Sequence, residues 1–151
     1  MLDSNGFDLW AGEYDKAVGL SEAQNTYPFA GYKKVLGEIF ATIMERPRSV
    51  VLDLGFGTAT LTSKLYENGH VIFGQDFSEV MIKTASSKMP DAKLYRGDFS
   101  EGLVAPLKEV DYDFIVATYS FHHVPYEKIY YCAPRRRIER HRVAVLRTRA
   151  L

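Results

Sequence analysis

An α/β fold built on a doubly wound parallel sheet is what this 151-residue sequence predicts. Three observations carry that expectation. Short apolar runs alternate with helical stretches, the pattern of right-handed βαβ units around a parallel sheet. The runs at 49–54 and 112–118 are apolar almost throughout, as strands buried on both faces are. The first of them enters a glycine turn, VLDLGFGTAT at Val51–Thr60, and a strand, glycine turn and helix in that order suit a nucleotide.

Taken in order, residues 1–26 are polar with scattered aromatics (Phe7, Trp10, Tyr14) and read as an N-terminal arm. From Pro28 the pattern is helical: Tyr32, Val35, Leu36, Ile39, Phe40 and Ile43 recur at the spacing of one buried face, and Pro47 closes the segment. Ser49–Leu54 is the first strand. Thr58–Asn68 is a helix with Leu61 and Leu65 inward and Gly69 at its C-terminal cap. His70–Gly74 is the second strand. Ser78 caps a helix carrying Met81, Ala85 and Met89 on one face, stopped by Pro90. Ala92–Tyr95 makes a third strand and Tyr112–Thr118 a fourth.

Composition narrows the class. Hydrophobic residues at 46% and charged residues at 25% describe a globular domain with a core. No apolar run approaches a membrane span, and the start, MLDSNGFDLW, has neither the basic nor the apolar region of a secretory signal. A single cysteine, Cys132, leaves no intramolecular disulfide and no multi-cysteine metal site, so a reduced cytoplasmic location without a metal is expected. The balanced net charge conceals an asymmetry. Residues 1–128 hold 12 Lys and Arg against 18 Asp and Glu, whereas residues 129–151 hold seven bases, all arginine, against one acid.

The turn is not the dinucleotide fingerprint G-x-G-x-x-G, because Thr60 stands where its third glycine belongs. Its pattern is D-x-G-x-G-x-A, with Asp53 two residues before Gly55. An anion there repels a pyrophosphate and suits a ligand whose near end is positive. With three further segments in order, VIFGQDFSEVMI, YRGDF and DYDFIVATYSFHHV, the chain resembles the class I S-adenosylmethionine-dependent methyltransferases. The stretch FDLWAGEYDKAV is similar to the arm of small bacterial enzymes of the YrrT-like group, and the likeness covers residues 7 to 128.

The resemblance implies a Rossmann-like fold, S-adenosylmethionine as cofactor and a small-molecule methyl acceptor, with residues 27–128 as the cofactor-binding domain. It gives Gly55 and Gly57 to the methionine portion, with Asp53 organising the turn and complementing the ammonium group. Asp76, 23 residues beyond Asp53, takes the ribose hydroxyls. Phe77 lies against the adenine, Asp98 takes its amino group, and the backbone N–H of Phe99 meets a ring nitrogen. Thr118 and Tyr119 line the methyl end. Each acid also has an ordinary reading: Asp53 as a turn acceptor, Asp76 as a helix cap, Asp98 as a turn aspartate. The joint pattern favours the ligand. A nicotinamide-dependent oxidoreductase is the alternative that Thr60 disfavours.

An activated methyl needs little covalent help, so positioning dominates. His122 and His123 are the candidate bases should the acceptor lose a proton, beside the plain reading of loop histidines bonded to backbone. Tyr14 and Tyr119 close the site around the methyl.

Residues 129–151 fit the family poorly. They contain no glycine, aspartate or lysine, and their only apolar run is Val143–Leu146. The expectation is therefore a sheet truncated after the fourth strand, followed by an atypical Arg-rich tail. A frameshifted or chimeric end explains both the arginine usage and the halted sheet. An RNA-binding arginine segment and a basic amphipathic helix explain only the first. On this reading nucleic acid and membrane are not partners.

Overall fold

A computed structural model describes residues 34–118 and 120, together with residues 32–33 and 142–146 as backbone. The elements are α1 (Tyr32–Met44), β1 (Val50–Leu54), α2 (Thr62–Glu67), β2 (Val71–Asp76), α3 (Glu79–Lys88), β3 (Lys93–Arg96), a 3-10 turn (Phe99–Glu101), α4 (Ala105–Lys108), β4 (Phe114–Thr118) and β5 (Arg142–Leu146). The strands form one sheet in the order β3-β2-β1-β4-β5, with every neighbouring pair parallel.

The fold is the doubly wound α/β sheet expected, with one correction. The sheet does not end at β4: Arg142–Leu146 pairs with it in parallel, Phe114 opposite Arg142 through Thr118 opposite Leu146. The run RVAVL is short and β-branched, and an uncovered β4 edge offers a row of unpaired backbone groups for it to satisfy. Its flanking arginines conceal that preference in the composition.

The central strand is apolar because both its faces are covered. Val51 points with Ile39, Ile43, Leu65, Ile72 and Met89 into one core layer, and Leu52 and Leu54 point with Leu107, Tyr112 and Ile115 into the other. Several element boundaries shift by one or more residues from the sequence reading, and two of the shifts bear on the site. The helix expected from Thr58 begins as regular α-helix only at Thr62, because Ala59 at φ 61° cannot continue a right-handed helix. The second strand runs two residues further, so that Asp76 is its last residue.

The caps behave as their residues dictate. Gly69 at φ 83° lets its own amide donate to Tyr66 O (3.0 Å) and that of His70 to Leu65 O (3.2 Å), closing α2. Ser78 Oγ accepts from the Met81 amide (3.2 Å) at the start of α3, whose Met81, Ala85 and Met89 are buried as predicted.

The amino ends of the strands are pinned by two side chains. Asp113 Oδ2 accepts from the Val50 amide (2.8 Å), and its Oδ1 meets Arg46 at 2.7 Å. The buried His70 accepts the Ser49 amide at Nδ1 (3.2 Å), so Nε2 carries the proton and faces Met44 Sδ at 3.4 Å. Burial holds this imidazole below its ordinary pKa. Replacing Asp113 with alanine leaves the Val50 amide without its acceptor and should lower unfolding stability by roughly 1–3 kcal/mol in a urea titration. No change would show that the exposed half of the interaction with Arg46 was all there was.

Candidate functional site

Strand order reverses at β1, whose neighbours β2 and β4 come from the two halves of the winding. In open parallel sheets the crevice beyond the carboxyl ends at such a point is where ligands bind. The glycine turn occupies that place. Gly55 has φ 70° and Gly57 φ 55°, conformations that favour glycine, but their surroundings differ. A Cβ at Gly55 would lie 2.5 Å from Ser120 Cβ and 3.1 Å from the Phe99 ring, whereas one at Gly57 would meet nothing within 4 Å. One glycine is required by its neighbours; the other faces open space. The turn's own aromatic, Phe56, packs on β2 where Gly74 leaves room, since a Cβ there would sit 2.5 Å from Phe56 Cδ1.

Two carboxylates, Asp53 and Asp76, flank this turn, and a third, Asp98, follows β3. Asp76 accepts the Gly57 amide at Oδ2 (2.8 Å) and the Ser78 amide at Oδ1 (2.9 Å), tying the turn to the end of β2. The helix cap is Ser78, not Asp76. Asp98 is exposed and accepts the Ser100 amide at 2.8 Å, capping the 3-10 turn. Its ordinary turn role is therefore real, and leaves its second oxygen outside that bond. Asp53 is different. It is only 2% exposed, and its Oδ1 has no hydrogen-bond partner among the described residues.

Burial, with the nearby charge of Asp76 adding to it, pushes the Asp53 carboxyl up to about 7. Thr62 opposes the shift, but its own buried hydroxyl also lacks hydrogen-bond geometry to any group described. This is a carboxyl that either keeps a proton or needs a cation.

The remaining predicted residues divide. Phe77 is half-buried, directly after Asp76, and Thr118 is half-buried at the end of β4. Phe99 is buried, and its ring reaches Gly55, so the turn after β3 meets the glycine turn. Tyr14, Tyr119, His122 and His123 lie outside the described residues. Among those described, no cluster of three or more His, Cys, Asp or Glu could hold a metal, and no helix is long and apolar enough to cross a membrane.

The model of a methyltransferase domain family matches residues 51–136, from the first strand through the glycine turn and β4. The chain belongs to that family. An uncharacterized methyltransferase of Geobacillus sp. strain WCH70 is 39% identical over 81% of this chain and 54% of its own length. The uncharacterized methyltransferase YrrT of Bacillus subtilis strain 168 is 35% identical over the same shares, 81% and 54%. The chain thus spans about half the length of the curated relatives it matches.

Among solved structures, magnesium protoporphyrin IX methyltransferase of Synechocystis PCC 6803 with bound SAH superimposes with TM-score 0.55 at 22% identity, over 65% of this chain and 47% of that one. A TehB-like SAM-dependent methyltransferase of Corynebacterium glutamicum gives 0.52 at 22% identity, over 71% and 53%. These neighbours share the fold.

Within this methyltransferase domain, several residues that shape the turn escape sequence reasoning. Ser120 Oγ donates to Leu54 O at 2.7 Å. Lys88 Nζ donates to Thr58 O at 2.7 Å, so α3 holds the far side of the turn. Gln75, fully buried, donates to Gly102 O (3.0 Å) and accepts from the Val104 amide (2.9 Å), while its carbonyl accepts the Gly55 amide (2.8 Å). Each contact joins residues 20–66 positions apart, so no local pattern announces it. A glutamine continuing the apolar run between Gly74 and Asp76 is the signal a reader of sequence has.

Two outcomes follow for the ligand-free domain. Gly55→Ala should be destabilised by several kcal/mol in thermal melts, whereas Gly57→Ala should lose only about 1 kcal/mol of stability, through the backbone strain it introduces; equal losses would contradict the contrast in packing. Because the folded Asp53 holds its proton more tightly than the unfolded one, its contribution is full below pH 4. It is lost as pH rises toward 7, a change of roughly 4 kcal/mol at most. Asp53→Asn should therefore be more stable than the parent at pH 8, with that advantage shrinking by pH 5. A constant difference across this range would mean the carboxyl is not perturbed.

Proposed function

We propose that this chain is the S-adenosylmethionine-binding portion of an enzyme that transfers a methyl group to a small-molecule acceptor. The observation that carries the reading is the buried Asp53 with its unpartnered oxygen, beside a glycine whose Cβ direction is open. A cationic ligand end would supply what the carboxyl lacks, and a pyrophosphate would not. The residue set suits the cofactor in its other parts. Asp76 would receive the ribose hydroxyls at the end of β2, with Phe77 against the adenine. Asp98 and the Phe99 amide would meet the adenine edge, and Thr118 and Tyr119 would line the methionine and methyl end. Residues 27–128 would form the binding unit.

When bound, the cofactor supplies a methyl already activated by a positive sulfur. The chain's own residues then have three tasks: to orient the acceptor in line, to exclude water, and to receive a proton where the acceptor must lose one. Tyr14 and Tyr119 would close the site, and His122 or His123 would take the proton at an imidazole nitrogen. Because the chain spans about half of its relatives' length, a second reading is a fragment that binds the cofactor without turnover. Turnover assays separate it from the first. The cytoplasm, without a nucleic acid or membrane partner, is the setting we propose.

Calorimetry with S-adenosylhomocysteine and with NAD is the direct test. Binding of the first and none of the second is expected, and the reverse would sink the proposal in favour of an oxidoreductase. Asp76→Ala should weaken S-adenosylhomocysteine binding by roughly 1–3 kcal/mol; unchanged affinity would remove Asp76 from the site.

A further inference from the structure

Main-chain pairing between β1 and β4 stops early. The register runs from Val51 opposite Phe114 to Asp53 opposite Val116 and no further. Both strands continue past that rung, β1 to Leu54 and β4 to Thr118. On their other sides the pairing persists to the strand ends, Leu54 with Gln75 on β2 and Thr118 with Leu146 on β5. The two central strands therefore part at their carboxyl ends while each stays bonded to its outer neighbour. That parting is the crevice.

One side chain reaches back across it. Ser120, two residues beyond β4 and 8% exposed, donates its hydroxyl to the carbonyl of Leu54, the last residue of β1, at 2.7 Å. Its Cβ fills the space a side chain at Gly55 would need, and the Phe99 ring closes the same space from the turn after β3. Three segments thus converge on Gly55: the glycine turn, the turn after β3 and the loop after β4. The hydroxyl stands in place of a missing backbone rung, a single short bond at the point where the strands have separated.

We propose that Ser120 is a positioning residue that sets the width of the crevice between the glycine turn and the loop after β4. It would thereby fix the methionine end of the cofactor relative to the chain leaving β4 at Ser120. This inference rests on the cofactor reading above and adds to it a residue that the sequence reading did not single out, although it lies within the segment DYDFIVATYSFHHV. Losing the hydroxyl leaves the Leu54 carbonyl without this donor and frees the two strand ends to move apart. The adenosine end, held at β2 and after β3, is not spanned by this bond.

The test compares the parent with Ser120→Ala and Ser120→Cys, using S-adenosylhomocysteine and adenosine as separate calorimetric probes, well below the melting transition of each variant. Ser120→Ala should bind S-adenosylhomocysteine roughly tenfold more weakly, the worth of about one hydrogen bond, with adenosine affinity unchanged. Ser120→Cys, with similar volume and a weak donor, should fall between. A lower melting temperature with unaltered S-adenosylhomocysteine affinity would overturn the positioning role and leave the cofactor reading standing. An equal loss for both probes would overturn it too, by showing general loosening. If the parent bound neither probe, the cofactor reading itself would fail, and this inference with it.

Discussion

A carboxyl group taken out of water at the end of the central strand is the constraint on which the rest of the site depends. Strands covered on both faces are apolar, and β1 obeys that rule at Val51, Leu52 and Leu54 but not at Asp53. Burying an ionised carboxylate costs several kcal/mol, while one hydrogen bond returns about 1. Among the described residues Thr62 eases the charge and Asp76 adds to the difficulty. The balance is therefore met by a proton in the free domain and, on the proposed reading, by a cationic ligand end in the bound one. Asp76 needs no such help, because two backbone amides already serve its oxygens.

The turn above Asp53 is held by contacts from every side. Gln75 accepts the Gly55 amide, Asp76 the Gly57 amide, Lys88 caps the Thr58 carbonyl and Ser120 takes the Leu54 carbonyl. Four attachments in five residues preset the backbone, including the left-handed Ala59, before any ligand arrives. Preorganisation of this kind lowers the ordering that binding would otherwise require. The open Cβ direction at Gly57 is where this rigid frame leaves room.

Local chemistry made most of the fold legible. The apolar runs located four strands, Ser78 and Gly69 marked helix ends, and the glycines with Asp53 marked the crevice. What was hidden was either conformational or distant. Ala59 looks like a helix former, and only its φ reveals that α2 must start later. In β5 the arginines dominate the composition, although RVAVL has the residues of a strand and finds the edge of β4. Ser120 carries no local signal, since its partner lies 66 residues away. Asp76 was legible as an acid at the right distance, but its bonds to Gly57 and Ser78 were not. The family match then gave the class to which the pattern belongs.

The central claim is that the crevice beyond β1, β2 and β4 receives S-adenosylmethionine. Mapping of backbone amide chemical shifts during titration with S-adenosylhomocysteine reads that location directly. The account predicts the largest changes at Gly55, Gly57, Phe77 and Phe99, with the amides of Ser49, Val71 and Asp113 at the opposite end of the sheet unmoved. Saturable binding that shifts that opposite end, and leaves the glycine turn where it was, would contradict it.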